Sequence, residues 1–385
     1  MGRTVRLGGL AALVGLLAAT MIGEAQVGKG EWPAYSADKA STKYSPLDQI
    51  NKDNVRDLRI VWRQSATPLE VRRPGTPAQG PINYPHTPLM VGGLLYMSTG
   101  LGTIAALDPA TGKVVWFNPP VQGEPGSASR GLAYWTDSKD QRVIAVVGQY
   151  LVEVNARTGQ RYSGFGDRGR VDLAKGYRRP TDGFRWGSAP VVVGDVIVVG
   201  GLPGGAIDIV NDEQPARREA PPGDVRGYDA RTGRLLWTFH TVPAIGEFGY
   251  DTWLNESASY SGNTGIWGNL SADEELGYVY LPIETPTGDY YGGARPGNNL
   301  FAESLVCLDA KTGKRVWHFQ AVHHGLWDYD FTAPPVLLDI TVDGRRIKAL
   351  AEVSKQAFAY VLDRDRKSTR LNSSHIQKSR MPSSA

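Results

Sequence analysis

The strongest constraint on this chain is a phrase it repeats: an aspartate, two residues, Thr-Gly, three residues, then tryptophan. It stands at Asp108, Thr111-Gly112 and Trp116, at Asp229, Thr232-Gly233 and Trp237, and at Asp309, Thr312-Gly313 and Trp317. A weaker copy, Asn155-Ala156-Arg157-Thr158-Gly159, has no tryptophan. Each full copy follows a β-rich run: Ile104 to Leu107, Val225 to Tyr228, Ser304 to Leu308. The phrase reads as a hairpin, because Asp or Asn accepts a bond from the backbone two residues on and Gly takes the positive φ that closes the turn. The tryptophan of the returning strand offers a large apolar face and one N–H in search of an acceptor. Successive phrase glycines lie 47, 74 and 80 residues apart. The first interval fits one four-stranded blade and the longer ones fit blades with loop insertions. The pattern predicts an all-β chain, a β-propeller.

Composition narrows the class further. Of 385 residues, 41% are hydrophobic and 21% charged, with 46 Gly and 25 Pro, a turn-rich globular balance. A net charge of +3, spread among acidic residues, gives no reason to expect a nucleic-acid partner. Strand signals recur at 190–199, 277–281 and 357–362, bounded by Gly, Pro or Asp. Gly200-Gly201-Leu202-Pro203-Gly204-Gly205 opens no helix and lacks a following Lys-Ser/Thr, so it reads as a loop between blades. The single cysteine, Cys307, excludes an intramolecular disulfide and reads as a small buried hydrophobe.

The two ends carry different messages. Residues 1–25 read as an export signal: Arg3 and Arg6, an apolar run from Leu7 to Ile22, then Gly23-Glu24-Ala25 before Gln26. An uncleaved anchor is the alternative, though the run is short for a span, and no later run is long enough. Residues 365–385 read as a non-native tail. Asp365 to His375 and Ser379 to Ala385 match the translation of a common sequencing-library adapter, which accounts for 18 of the last 21 residues. On that reading the genuine sequence stops at Asp363-Arg364, where another phrase begins. Residues 26–364 are then part of a propeller, and the 385-residue chain by itself is expected to be insoluble or inactive, with unpaired strand edges.

The densest polar and aromatic stretch is His323-His324-Gly325-Leu326-Trp327-Asp328-Tyr329-Asp330. Propeller loops gather at the mouth of the central channel, where a partly desolvated carboxylate serves as a base. Taken alone, the stretch is either such a site or a packed loop. Vicinal histidines do not both reach one metal, so no zinc site is expected.

From Trp32-Pro33-Ala34-Tyr35-Ser36 through Tyr44-Ser45-Pro46-Leu47-Asp48-Gln49-Ile50-Asn51 to Arg364, the chain resembles the pyrroloquinoline quinone (PQQ) dependent dehydrogenases. Its phrase is similar to their tryptophan-docking motif, and Trp237-Thr238-Phe239-His240, Tyr290 to Gly297, Trp317 to His324 and Leu326 to Asp330 are the most specific stretches. The resemblance is strongest to the quinoprotein glucose dehydrogenase branch. It implies an eight-bladed propeller, of which this chain supplies roughly four to five blades. It also implies an exported, periplasmic enzyme, with membrane association left open, that oxidises an aldose or alcohol hydroxyl, foremost glucose to gluconolactone. The cofactors are PQQ and Ca²⁺ or Mg²⁺, and the electron acceptor is a membrane quinone or a cytochrome. Asp328 matches the catalytic base and a metal ligand, with Asp330 as its rival. Lys355 matches the cation beside the ortho-quinone oxygens, Trp267 the aromatic floor under the cofactor, and Arg130 the partner of a cofactor carboxylate. Thr285 stands where methanol and ethanol quinoproteins carry an Asn metal ligand, and Gly126 where the glucose enzymes carry His. A further metal carboxylate falls on Asp208, Asp212 or Glu213, with no basis for choosing among them. A quinoprotein of other specificity and a non-catalytic propeller scaffold are the rival readings.

Overall fold

The computed structural model describes residues 30–69, 84, 86–119, 130–181, 183–184, 186, 188–201 and 218–365. The expected export signal, Gly126, the carboxylates Asp208, Asp212 and Glu213, and nearly all of the expected tail lie outside the described residues.

The described residues form five antiparallel sheets, each a meander of neighbouring strands. The first holds β1 (Leu89–Val91), β2 (Leu94–Ser98), β3 (Ile104–Leu107) and β4 (Val114–Phe117). The second holds β5 (Ala133–Thr136), β6 (Gln141–Val147), β7 (Tyr150–Asn155) and β8 (Arg170–Asp172). The third holds β9 (Val191–Val193), β10 (Val196–Val199), β11 (Val225–Asp229) and β12 (Leu235–Phe239). The fourth holds β13 (Ser271–Asp273), β14 (Tyr278–Pro282), β15 (Ser304–Asp309) and β16 (Arg315–Gln320). The fifth is a three-stranded sheet of β17 (Val336–Val342), β18 (Arg345–Val353) and β19 (Ala359–Asp363). Among the described residues, regular helix is confined to short 3₁₀ turns such as Tyr250–Thr252 and Ser257–Ser259.

Two sequence readings are refined by the pairing. The run 190–199 is a hairpin, because Gly194 takes φ +55° and folds β9 back against β10. The loop that begins at Gly200-Gly201 joins β10 to β11, which pair with each other as Val198 opposite Gly227. It therefore lies within one sheet and does not connect two blades. The reading missed this because the partner strand is separated from β10 by a long insertion.

The core is layered. Separate apolar clusters fill the spaces between consecutive sheets: Leu89, Ile104, Val143 and Val154 between the first and second, Ile144, Leu151, Ile197 and Tyr228 between the second and third. Val198, Val225, Val279 and Val306 lie between the third and fourth, and Tyr280, Cys307, Leu337 and Leu350 between the fourth and fifth. Cys307 is accordingly buried and free.

The phrase tryptophans join the sheets. Trp116 and Trp237, together with Trp62 ahead of the first sheet, each lay the ring on a Thr-Gly turn and cap the carbonyl that follows the phrase's Asp or Asn. Trp62 donates to Pro109 O (2.9 Å), Trp116 to Ala156 O (3.1 Å) and Trp237 to Ala310 O (2.9 Å). A Cβ at Gly112, Gly159 or Gly313 would stand 2.4–2.5 Å from the docked ring, so only glycine fits, and φ is near +70° at all three. Trp317 bonds Arg364 O at 3.4 Å, the same position after Asp363.

The second sheet, whose phrase lacks the tryptophan, is joined to the third by other means. Arg142 Nη1 donates to Ala230 O (3.2 Å) and Arg231 O (3.1 Å), and Ala230 O is the carbonyl a tryptophan would cap. Its guanidinium is held by Glu153 (2.7 Å) and Asp140 (2.7 Å) and lies 4.0 Å from the Tyr162 ring centroid. Phe165 and Val171 take the space against Gly233 where the indole would lie.

Strand direction places the loops. In every sheet the first strand starts, and the second strand ends, at the same edge, while the phrase turns lie at the opposite edge. The first strands β5, β9, β13 and β17 touch in succession and form the hub. An N-terminal segment crosses that hub: Trp32 pairs with Met90 of β1, Lys39 O accepts from Ala272 of β13 (2.8 Å), and Ala40 O accepts from Leu337 of β17 (2.8 Å).

Candidate functional site

The site lies at the edge opposite the phrase turns, and two kinds of loop build it. Segments entering the first strands contribute Arg130 (before β5), Ser188 (before β9), Trp267 (before β13) and Asp328 with Asp330 (before β17). Segments leaving the second strands contribute Thr285 (after β14) and Lys355 (after β18). Antiparallel pairing brings these positions to one edge of the hub, although they span 226 residues of sequence.

Trp267 is the centre. The Arg130 guanidinium carbon stands 5.5 Å and the Lys355 ammonium 5.7 Å from its ring centroid, so two cations flank the indole. Arg130 also bonds Trp267 O and Ser188 Oγ (3.2 Å), and Ser188 Oγ bonds Trp267 O (2.8 Å). Lys355 Nζ bridges two carboxylates, Asp328 Oδ2 at 2.5 Å and Asp330 Oδ2 at 2.7 Å. Burial works against the charge of Lys355, but the bonds and charges of both aspartates outweigh it and raise the ammonium above the ordinary lysine range. Asp330 is 2% exposed and burial pushes its carboxyl up. Asp328 is more open and carries φ +53°, a conformation that non-glycine residues seldom hold without support from outside.

That support comes from buried residues behind the loop. Glu303 Oε1 accepts the Tyr329 N–H (3.0 Å), Arg295 donates to Gly325 O (2.7 Å), and His324 Nδ1 meets Gly297 O (2.9 Å). A Cβ at Gly325 would fall on the Glu303 carboxylate. Burial, reinforced by the charges of Asp328 and Asp330, pushes Asp289 and Glu303 each to about 7, and Glu284 is also raised well above the carboxylate range. One oxygen each of Thr285 (Oγ1), Asp289 and Glu303 is buried without a hydrogen-bond partner.

All five residues expected from the sequence (Arg130, Trp267, Thr285, Asp328 and Lys355) therefore fall in one neighbourhood. Arg130, Trp267, Asp328 and Lys355 are linked side chain to side chain or through the Trp267 ring, and Thr285 is linked by its N–H to Asp330 (2.7 Å). Ser188, Glu284, Asp289, Arg295 and Glu303 escaped the sequence reading. Ser188 was recoverable, because it precedes β9 by the same three residues that separate Arg130 from β5. Among the described residues, no three acidic, histidine or cysteine side chains are grouped to hold a metal ion. The residues do suit a flat anionic group: an indole platform, two flanking cations and an unpartnered buried hydroxyl.

Four-stranded meanders around a common hub, with an aromatic platform, two cations and carboxylates gathered at one edge, define a β-propeller with a candidate binding site. The family model for PQQ glucose/ethanol/alcohol dehydrogenases, β-propeller domain, matches residues 32–367, and the chain belongs to that family. Quinoprotein glucose dehydrogenase A of Acinetobacter calcoaceticus is 31% identical over 88% of this chain and 43% of its own length. The glycerol dehydrogenase large subunit of Gluconobacter oxydans is 34% identical over 87% of this chain and 45% of its own. The chain thus spans less than half the length of these relatives. Among solved structures, the quinohemoprotein alcohol dehydrogenase of Comamonas testosteroni superposes with a TM-score of 0.71 at 26% identity, covering 89% of this chain and 49% of its own. Among the described residues, no helix is long and apolar enough to cross a membrane.

Proposed function

We propose that this chain is the cofactor-holding part of an exported PQQ-dependent dehydrogenase that oxidises an aldose or alcohol hydroxyl, with glucose to gluconolactone as the leading substrate. The observation that carries the reading is the convergence of Arg130, Trp267, Asp328 and Lys355 at one edge of the hub. The five sheets belong, on this reading, to an eight-bladed ring. Residues 1–25 direct export to the periplasm, and electrons leave to a membrane quinone or a cytochrome.

Trp267 supplies a flat apolar surface, and Arg130 pairs with a cofactor carboxylate, for which a guanidinium fork is suited. Lys355, kept protonated by its two aspartates, would hold positive charge beside the oxygens of a bound ortho-quinone, in place before the reaction begins. Asp328 is the more open carboxylate and takes the proton from the substrate hydroxyl. Bound there, PQQ supplies the two-electron acceptor for the hydride of the same carbon. Oxygen donors would hold Ca²⁺ or Mg²⁺, with Asp328 as one of them and Asp208, Asp212 or Glu213, which lie outside the described residues, as candidates for another.

The test is dye reduction by full-length enzyme reconstituted with PQQ and Ca²⁺, comparing glucose, other aldoses, glycerol and primary alcohols. Glucose or another aldose as the best donor supports the reading. A preference for primary alcohols moves the substrate assignment, and no PQQ-dependent reduction with any donor sinks it.

A further inference from the structure

The site holds two aspartates two residues apart, and their surroundings differ. Asp328 is partly open and its carboxylate has one bonded partner, Lys355. Asp330 is 2% exposed and its two oxygens are fully engaged. Oδ1 accepts the Thr285 N–H at 2.7 Å, while Oδ2 accepts both the Trp267 indole N–H at 3.1 Å and the Lys355 ammonium at 2.7 Å. Its own carbonyl accepts the Lys355 backbone N–H at 3.2 Å. Three loops, entering β13, leaving β14 and leaving β18, thus meet on one carboxylate that itself belongs to the loop entering β17.

We propose that Asp330 is the positioning residue of this site: a buried carboxylate that fixes the tilt of the Trp267 platform and the reach of Lys355, and leaves Asp328 free to face the substrate. The proposal rests on the dehydrogenase reading for its purpose. Its geometry is a property of the protein alone. A buried acceptor serving three donors cannot also be the exposed base, because moving toward a substrate would strand the Trp267 and Thr285 N–H groups. The same bonds explain why a second acid stands so close to the first. Asp330 supplies the countercharge that keeps Lys355 seated beside the indole whatever Asp328 is bonded to.

The test uses the full-length protein labelled with ¹⁵N-tryptophan and free of cofactor. The Trp267 indole N–H resonance is identified by its loss in W267F. In Asp330→Ala this resonance shifts and its solvent exchange rises roughly tenfold or more, while in Asp328→Ala it stays within about twofold of the parent. Asp330→Asn, which keeps the shape and one acceptor, restores part of the protection. Unchanged resonances for the other indoles show that the fold is retained. PQQ titration then gives a Kd weakened about tenfold or more in Asp330→Ala. An indole indifferent to residue 330, or equally disturbed by both alanine variants, overturns the proposal even if PQQ binds. An indole that responds as expected in a protein that takes up no PQQ leaves the anchor standing and removes the cofactor reading.

Discussion

The two edges of the hub are built on opposite principles. At the phrase edge, the Trp62, Trp116 and Trp237 joints repeat one local device: a glycine turn, a docked indole and one capped carbonyl. At the site edge nothing repeats, since an arginine, a serine, a tryptophan and an aspartate stand in the segments that enter successive first strands. The repeat makes the frame, and the non-repeating edge is free to vary because the frame already fixes where its loops emerge. The second joint teaches the same lesson from within the frame. There Arg142 caps Ala230 O while Phe165 fills the indole's place, so the requirement is a donor and an apolar plug, and tryptophan is one residue that is both.

The largest expected effect lies at the site edge. Asp328→Asn should lower turnover of the reconstituted full-length enzyme by roughly a thousandfold while leaving PQQ uptake in place. Retained turnover would show that the base is another group. The next effect lies at the arginine joint. Arg142→Ala strands the buried Glu153 carboxyl, which burial already pushes up to about 8, and unfolding by urea should show a loss of about 3–5 kcal/mol. Adding Glu153→Leu should recover much of that loss, because a buried ion pair replaced by apolar side chains of similar size is often nearly neutral. A smaller loss is expected at a tryptophan joint. Trp116→Phe keeps a ring on Gly159 but removes the donor to Ala156 O, which should cost about 1–2 kcal/mol. Equal losses for Arg142→Ala and Trp116→Phe would contradict the view that one joint is electrostatic and the other apolar.

The smallest effect is a drift with pH. Asp289 and Glu303 hold their protons in the folded protein up to about 7, and buried Asp224 up to about 6, whereas in the unfolded chain all three ionise near 4. The fold binds more protons than the unfolded chain between those limits, so stability is fullest below about pH 4 as far as these groups are concerned and falls as pH rises toward 7. Urea midpoints in EDTA at pH 5, 6, 7 and 8 should decline and then level. Substituting Asp289 and Glu303 by Asn and Gln should flatten the decline.

Most of the frame was legible in the sequence, because each joint needs residues close together in the chain. The hairpin of Asp309 with Thr312-Gly313, for example, is closed by the Asp309 carboxylate on the Thr312 N–H (2.8 Å). The loop after Gly200 was misread for the converse reason, since pairing partners across an insertion leave no local mark. The site was less legible. Trp267, Asp328 and Lys355 stood out through family resemblance, whereas spacing alone left 323–330 as either a site or a packed loop. Glu284 and Glu303 carry no sequence signal at all, because only the folded loops reveal that these carboxyls are buried beneath Asp328. The role of Asp330 was hidden by its neighbour, and its three donors, Trp267, Thr285 and Lys355, are 63, 45 and 25 residues away.

The most direct measurement is an equilibrium titration of the metal-supplemented full-length protein with PQQ, followed by tryptophan fluorescence and cofactor absorbance. The convergence of Trp267, Arg130 and Lys355 predicts saturation at one PQQ per chain, with binding weakened about tenfold or more by Trp267→Ala and by Lys355→Ala. No uptake, or uptake indifferent to both substitutions, would contradict it.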